Sequence, residues 1–135
     1  MAVVLGYTDR PEGRSALRVA VEEARRRGVA LHAVHSAVGG TRGDHERLVL
    51  FRAALAPIVE ELRGEGIACE LHEELHARSP AEDLADVAGR VDAAVVVIGL
   101  RRRSPVGKFA LGSTAQEILL RVDQPVLAVK SLDEV

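Results

Sequence analysis

The sequence predicts an α/β fold, a doubly wound parallel sheet of five strands in a single domain spanning residues 1–135. Three observations carry this. Short all-apolar runs bounded by turn residues, foremost Ala2–Leu5 and Ala93–Ile98, read as strands buried on both faces. Segments with apolar residues at helical spacing alternate with such runs, giving the order β-α-β-α-β-α-β-α-β, which places helices on both faces of a parallel sheet. A length of 135 residues suits one core, and no repeat, linker or low-complexity tract divides it.

Each element has its own signal. Ala2-Val-Val-Leu5 is the first strand, and Gly6–Gly13 is loop chemistry, with Thr8 or Asp9 available as a cap and Pro11 near a helix start. Leu17, Ala20, Val21 and Ala24 share one face of the first helix, which Gly28 ends. Val29–Val34 is the second strand, and a glycine-rich loop follows it to Asp44, the expected cap of a longer helix. That helix carries the stripe Leu48, Phe51, Leu55, Ile58 and Leu62, with Pro57 expected to kink it or break a backbone bond. Beyond Gly64 and Gly66, Ile67, Cys69, Leu71, Glu73 and Leu75 alternate with Glu70, His72, Glu74 and His76, the period of an edge strand with one wet face. Ser79-Pro80-Ala81-Glu82 is a capping box with proline at the first helical position; Leu84, Val87 and Ala88 face inward and Gly89 closes the helix. After Ala93–Ile98 and a loop from Gly99, Gly112, Ser113 and Thr114 open a helix with Ala115, Ile118, Leu119 and Val122 as its apolar positions. Pro125–Val129 is the last strand.

Composition excludes several classes of function. Apolar residues make up 47% and charged residues 28%, ordinary for a globular domain. Aromatics are 2% and the net charge is −2, so neither base stacking nor a global pull toward nucleic acid or anionic membrane is expected. The single cysteine, Cys69, forms no internal disulfide, and the N-terminal apolar run is too short for a signal or membrane-spanning segment; a cytoplasmic location is expected.

The stretch from Ala93 to Leu120 reads as strand, glycine- and arginine-rich loop, helix. A helix N-terminus presents free backbone N–H groups and partial positive charge, and glycines let a ligand come close to the backbone. Together they make an anion site, most naturally for phosphate, and Arg101, Arg102, Arg103 and Lys108 add matching charge. If the chain starts mid-sheet, winds outward and then crosses over, the strand order is 3-2-1-4-5. The loops Gly6–Gly13 and Gly99–Ser113 then part at a switch point, where ligands bind in such sheets.

Plainer readings compete. Gly99 and Gly112 can serve strand end and helix start alone. Gly107-Lys108 is not a Walker A loop, since Phe109 stands where Ser or Thr is required. Three adjacent arginines cannot all face one ligand. His72 and His76, four apart on a strand, lie about 13 Å from one another and cannot share an ion, so a solvated edge is expected there. His32 and His35 read as packed strand residues and Cys69 as a small core residue. No paired carboxylates or Ser/His/Asp arrangement stands out, so the expectation is a non-enzyme, with at most slow, incidental ATP hydrolysis.

The chain resembles the universal stress protein family over nearly its whole length. The likeness rests on Ala2-Val-Val-Leu-Gly-Tyr-Thr-Asp9, Ser15-Ala-Leu17, Leu31-His-Ala-Val-His35, Arg78-Ser-Pro-Ala81, Val97-Ile-Gly99, Leu111-Gly-Ser-Thr114 and Gln124-Pro-Val-Leu-Ala-Val129. It implies a Rossmann-like fold of the adenine nucleotide alpha hydrolase type and a stress-response role. In the family's nucleotide-binding loop, G-x-x-G-x9-G-[S/T], Gly99 matches the first glycine, Gly112 the third and Ser113 the hydroxyl. Arg102 stands at the second glycine, where it either blocks backbone approach or reaches a phosphate. Thr8 aligns with the family's strand-one aspartate, and Asp9 follows one place later. The resemblance implies that Ile98, Gly99, Gly112, Ser113 and Thr114 line the phosphate and ribose side, with Tyr7, Thr8, Asp9 and Ser36 near base and ribose and Arg101 or Arg102 neutralising charge. It further implies ATP, with Mg²⁺ bound through the phosphates, and a homodimer through Val126–Val129. The alternative is a nucleotide-free interaction module of the same fold, working through unknown protein partners.

Overall fold

β1 (Ala2–Gly6) sits at the centre of a five-stranded parallel sheet in the order β3-β2-β1-β4-β5. Its neighbours are β2 (Ala30–Ser36) and β4 (Ala93–Leu100), with β3 (Cys69–Glu74) and β5 (Val126–Lys130) at the edges. The computed structural model describes residues 1–36, 42–74, 79–101 and 111–131. The order 3-2-1-4-5, which follows if the chain starts mid-sheet and winds outward before crossing over, is the observed one.

Side-chain alternation along the strands builds two cores. Val3 and Leu5 of β1, Leu31 and Ala33 of β2 and Val95 and Val97 of β4 face one side. There they pack against Ala16 and Ala20 of α1 (Pro11–Arg27) and Leu48, Phe51, Leu55 and Leu62 of α2 (Arg42–Gly64). Val4, Val34, Val96 and Ile98 face the other side, against Ala81, Leu84 and Val87 of α3 (Pro80–Arg90) and Ile118 of α4 (Ser113–Arg121). Val3, Val4, Val96 and Val97 are wholly buried, which is why the central strands read as unbroken apolar runs.

Several element ends differ from expectation. Neither Thr8 nor Asp9 caps α1: Arg10 is the N-cap residue, with no side-chain hydrogen bond, and Pro11 supplies the preset φ of the first turn. α2 begins at Arg42, ahead of Asp44, which lies buried in the first turn, where a carboxylate complements the helix dipole. Pro57 lies inside α2, as expected, and forgoes a backbone hydrogen bond there; the helix runs through it, with the proline exposed and the apolar stripe anchored on either side. Gly89 does not close α3, which continues to Arg90, and the left-handed residue beyond the helix is Asp92 at φ 52°. Leu119 is 42% exposed, so Ile118 and Val122 form the inner face of α4.

Other signals read as they stand. Gly28 caps α1 at φ 65°, and its N–H and that of Val29 close the last carbonyls. Ser79 and Glu82 form the full reciprocal capping box of α3. Among the described residues no helix is long and apolar enough to cross a membrane.

Candidate functional site

β1 and β4 are neighbours whose chains leave in opposite directions, β1 into α1 on one face and β4 toward α4 on the other. A cleft of about 310 Å³ opens where they part. Among the described residues it is lined by Gly6, Tyr7, Thr8, Arg10 and Glu12 after β1, by Val34 and Ser36 of β2, and by Pro80 and Leu84 of α3. Ile98, Gly99, Leu100 and Arg101 come from the end of β4, and Leu111 through Ala115 with Ile118 from the start of α4.

Two helix N-termini meet this cleft without a side-chain cap. At α1 the N-cap residue Arg10 makes no capping hydrogen bond, and at α4 the N-cap residue is Gly112, which has no side chain to make one. No acidic residue occupies the first turn of α4. α3, by contrast, has its N-terminus closed by Ser79 and Glu82. The amide donors and dipole end of α4 are therefore left for whatever enters, whereas the first turn of α1 opens on Pro11, which has no N–H, and carries the Glu12 carboxylate. Ser113, Thr114, Thr8 and Arg101 are exposed around them.

Of the residues singled out in the sequence, Tyr7, Thr8, Ser36, Ile98, Gly99, Arg101, Gly112, Ser113 and Thr114 all line the cleft. Asp9 does not: its Oδ1 accepts from the Tyr7 hydroxyl and from Arg14 Nη1, each at 3.4 Å. The Tyr7 ring is buried against Phe51, 5.8 Å between centroids, and burial with the nearby Asp9 carboxylate raises its phenol above the usual range. Arg102, Arg103, Gly107 and Lys108 lie outside the described residues, as do Leu75, His76 and Arg78. Arg10, Glu12, Pro80 and Leu84 escaped sequence reasoning. Glu12 in particular was legible only as a first-turn acid, yet it is 6% exposed and sits at the cleft wall.

The glycines also have a packing reason. A Cβ on Gly99 would lie 2.4 Å from the Glu12 carbonyl oxygen, and one on Gly13 1.8 Å from the Thr8 carbonyl oxygen. The first turn of α1 and the end of β4 thus touch backbone to backbone, and only glycine permits that approach.

Of the sheet histidines, His32 and His35 are buried as expected, and His72 departs from expectation. His72 is half-buried rather than solvated, and its Nε2 lies 2.9 Å from Nδ1 of His32 on the adjacent strand. Burial first, then the neighbouring His72, lowers the basicity of His32, against an opposing pull from Glu70. Cys69 is half-buried on the core, and burial pushes its thiol up to about 11, so it is a protonated packing residue at neutral pH.

The sequence profile of the universal stress protein family matches residues 1–130. The chain belongs to that family. A universal stress protein of Mycolicibacterium smegmatis is 36% identical over 129 residues, covering 95% of this chain and 96% of its own. Among solved structures, a universal stress protein from Archaeoglobus fulgidus is 39% identical, with a TM-score of 0.76 over 96% of this chain and 98% of that one. A universal stress protein from the same organism in complex with dAMP is 34% identical, with a TM-score of 0.71 and the same coverage. The five-stranded, Rossmann-like sheet is thus the universal stress protein fold, and the cleft lies at its switch point.

Proposed function

We propose that this universal stress protein binds an adenine nucleotide, ATP foremost, in the cleft between β1 and β4 and acts as a stress-response regulator. The observation that carries the reading is the uncapped N-terminus of α4 at Gly112, with no acid in its first turn, open to the cleft between β1 and β4. The dAMP complex of the Archaeoglobus relative supports an adenine nucleotide as the ligand class. Backbone N–H groups at Ser113 and Thr114, with their hydroxyls, would receive phosphate oxygens, and Arg101 would neutralise charge. Ile98 and Gly99 would line the same side. Tyr7, Thr8 and Ser36 would flank ribose and base, where the Glu12 carboxylate can accept from ribose hydroxyls or hold a phosphate-bound Mg²⁺. Any hydrolysis is slow and incidental. The working unit is a homodimer paired through Val126–Val129, and the location is the cytoplasm.

The test is calorimetric titration with ATP, with and without Mg²⁺, beside AMP and cyclic AMP. Gly112 has φ −66° and ψ 160°, which any residue adopts, so Gly112→Leu should fold normally, as its circular dichroism will report, and lose binding. Unchanged affinity in that variant would remove the cleft from consideration.

A second reading keeps the fold without the ligand. Its support is that Asp9 bonds Tyr7 and Arg14 and does not line the cleft, and that contact with Glu12 alone explains Gly99. Function would then lie in the dimer and its protein partners. A flat titration of protein free of co-purified nucleotide would favour this reading.

A further inference from the structure

His32, Glu70 and His72 converge on one face of the sheet, near its β3 edge. In the parallel register His32 stands opposite Glu70 and Val34 opposite His72, so the two β3 residues flank the His32 ring from positions two apart on the same face. His32 Nδ1 lies 2.9 Å from His72 Nε2 and 3.2 Å from Glu70 Oε2. One ligand atom from each of the three lies within 4.8 Å of the others. Two imidazoles and one carboxylate are a donor set typical of Zn²⁺. Donors bound to tetrahedral zinc at about 2.0–2.1 Å stand about 3.3–3.4 Å from one another, so seating the ion requires adjustments of about half an ångström for the nitrogen pair.

We propose that His32 Nδ1, His72 Nε2 and a Glu70 carboxylate oxygen form a three-ligand Zn²⁺ site that ties edge strand β3 to β2. His32 is 8% exposed and held by the sheet, whereas the Glu70 side chain is 64% exposed. The rigid inner ligand and the accessible outer one leave a fourth position open to water. Such a site exchanges its metal, since nothing closes the coordination shell. Arg90 acts on His32 as an opposing charge, and its guanidinium is held by Asp86 at 3.1 Å. None of the three ligands lines the cleft between β1 and β4, so the proposal does not depend on nucleotide binding.

The experiment uses untagged, chelator-treated full-length protein and Zn²⁺ in competition with a chromogenic chelator. One Zn²⁺ per chain is expected. His72→Gln and Glu70→Gln should each weaken it by about tenfold or more, since loss even of a residue behind the ligands costs 10–100-fold at many sites. His45→Gln, which removes an exposed histidine of α2, should leave it unchanged. Thermal melts give a second readout: Zn²⁺ should raise the Tm of the wild type and not that of His72→Gln. Co²⁺ in the site should absorb in the visible with the strength of a four-coordinate ion. His32→Gln changes a buried residue, and the two β3 variants keep the test independent of it. No stoichiometric binding, or binding equal in His72→Gln and wild type, would overturn the proposal and leave an imidazole–imidazole hydrogen bond only.

Discussion

His35 stacks on Phe51, with ring centroids 5.3 Å apart and planes at 26°, and its Nε2 is buried without a hydrogen-bond partner among the described residues. Burial dominates its titration and lowers its basicity, ahead of the opposing pulls of Glu73 and Asp44; Arg47 adds to the lowering. As pH falls through about 6.5 the unfolded chain takes up a proton that the folded chain refuses, so the unfolded state gains and stability declines. The contribution is fully present above the unfolded value and is lost on acidification. His35→Phe keeps the stack and deletes both the orphan nitrogen and the titration. It should raise stability by about 1 kcal/mol near neutrality and flatten the decline between about pH 7.5 and about pH 5.5, as urea unfolding at the two values will read. The burial shift of His32 has the same sign, so some slope should remain. An unaltered slope would mean that His35 titrates normally in the folded chain.

α2 is the longest helix among the described residues, and Pro57 sits two-thirds of the way along it. Proline there forgoes a backbone hydrogen bond and crowds the preceding turn, a cost of about 3 kcal/mol relative to alanine in a helix interior. The helix survives because Phe51, Leu55 and Leu62 are wholly buried around it, each worth about 1.5–3 kcal/mol when removed from water. Pro57→Ala should therefore stabilise the protein by about 1–3 kcal/mol, partly offset by the greater freedom of the unfolded chain. Denaturant titration will check it; a destabilised variant would mean that the proline shapes the packing of α2. The lost backbone bond was legible in the sequence. So was the stripe that holds the helix together across it, but the balance between them depends on burial, which spacing alone does not quantify.

At the scale of the whole molecule, right-handed crossovers leave few strand orders; 3-2-1-4-5, assumed among them, is the observed one, and the cleft follows from that order. The His32–Glu70–His72 cluster was not legible: three residues on two strands meet only once the register of β2 against β3 is known. Glu12 was missed for a related reason, since its burial comes from contact with Gly99 on a strand far along the chain. Association belongs to this scale too. β5 is a sheet edge with Leu127 37% exposed, and Leu120 of α4 is 89% exposed. If two copies pair through β5, sedimentation velocity should show a dimer for the wild type and a monomer for Leu127→Glu; a monomeric wild type would remove the proposed dimer. The central place of β1 has a further consequence, for the nascent chain. Val3 pairs with Val95, so one edge of β1 waits for a partner made much later, roughly 5–20 s at ordinary ribosome speeds. Until then the half-built sheet has no second wall to its cleft. A ligand that touches both loops therefore recognises only chains in which β4 has been made and docked, and a truncated product ending before β4 is invisible to it.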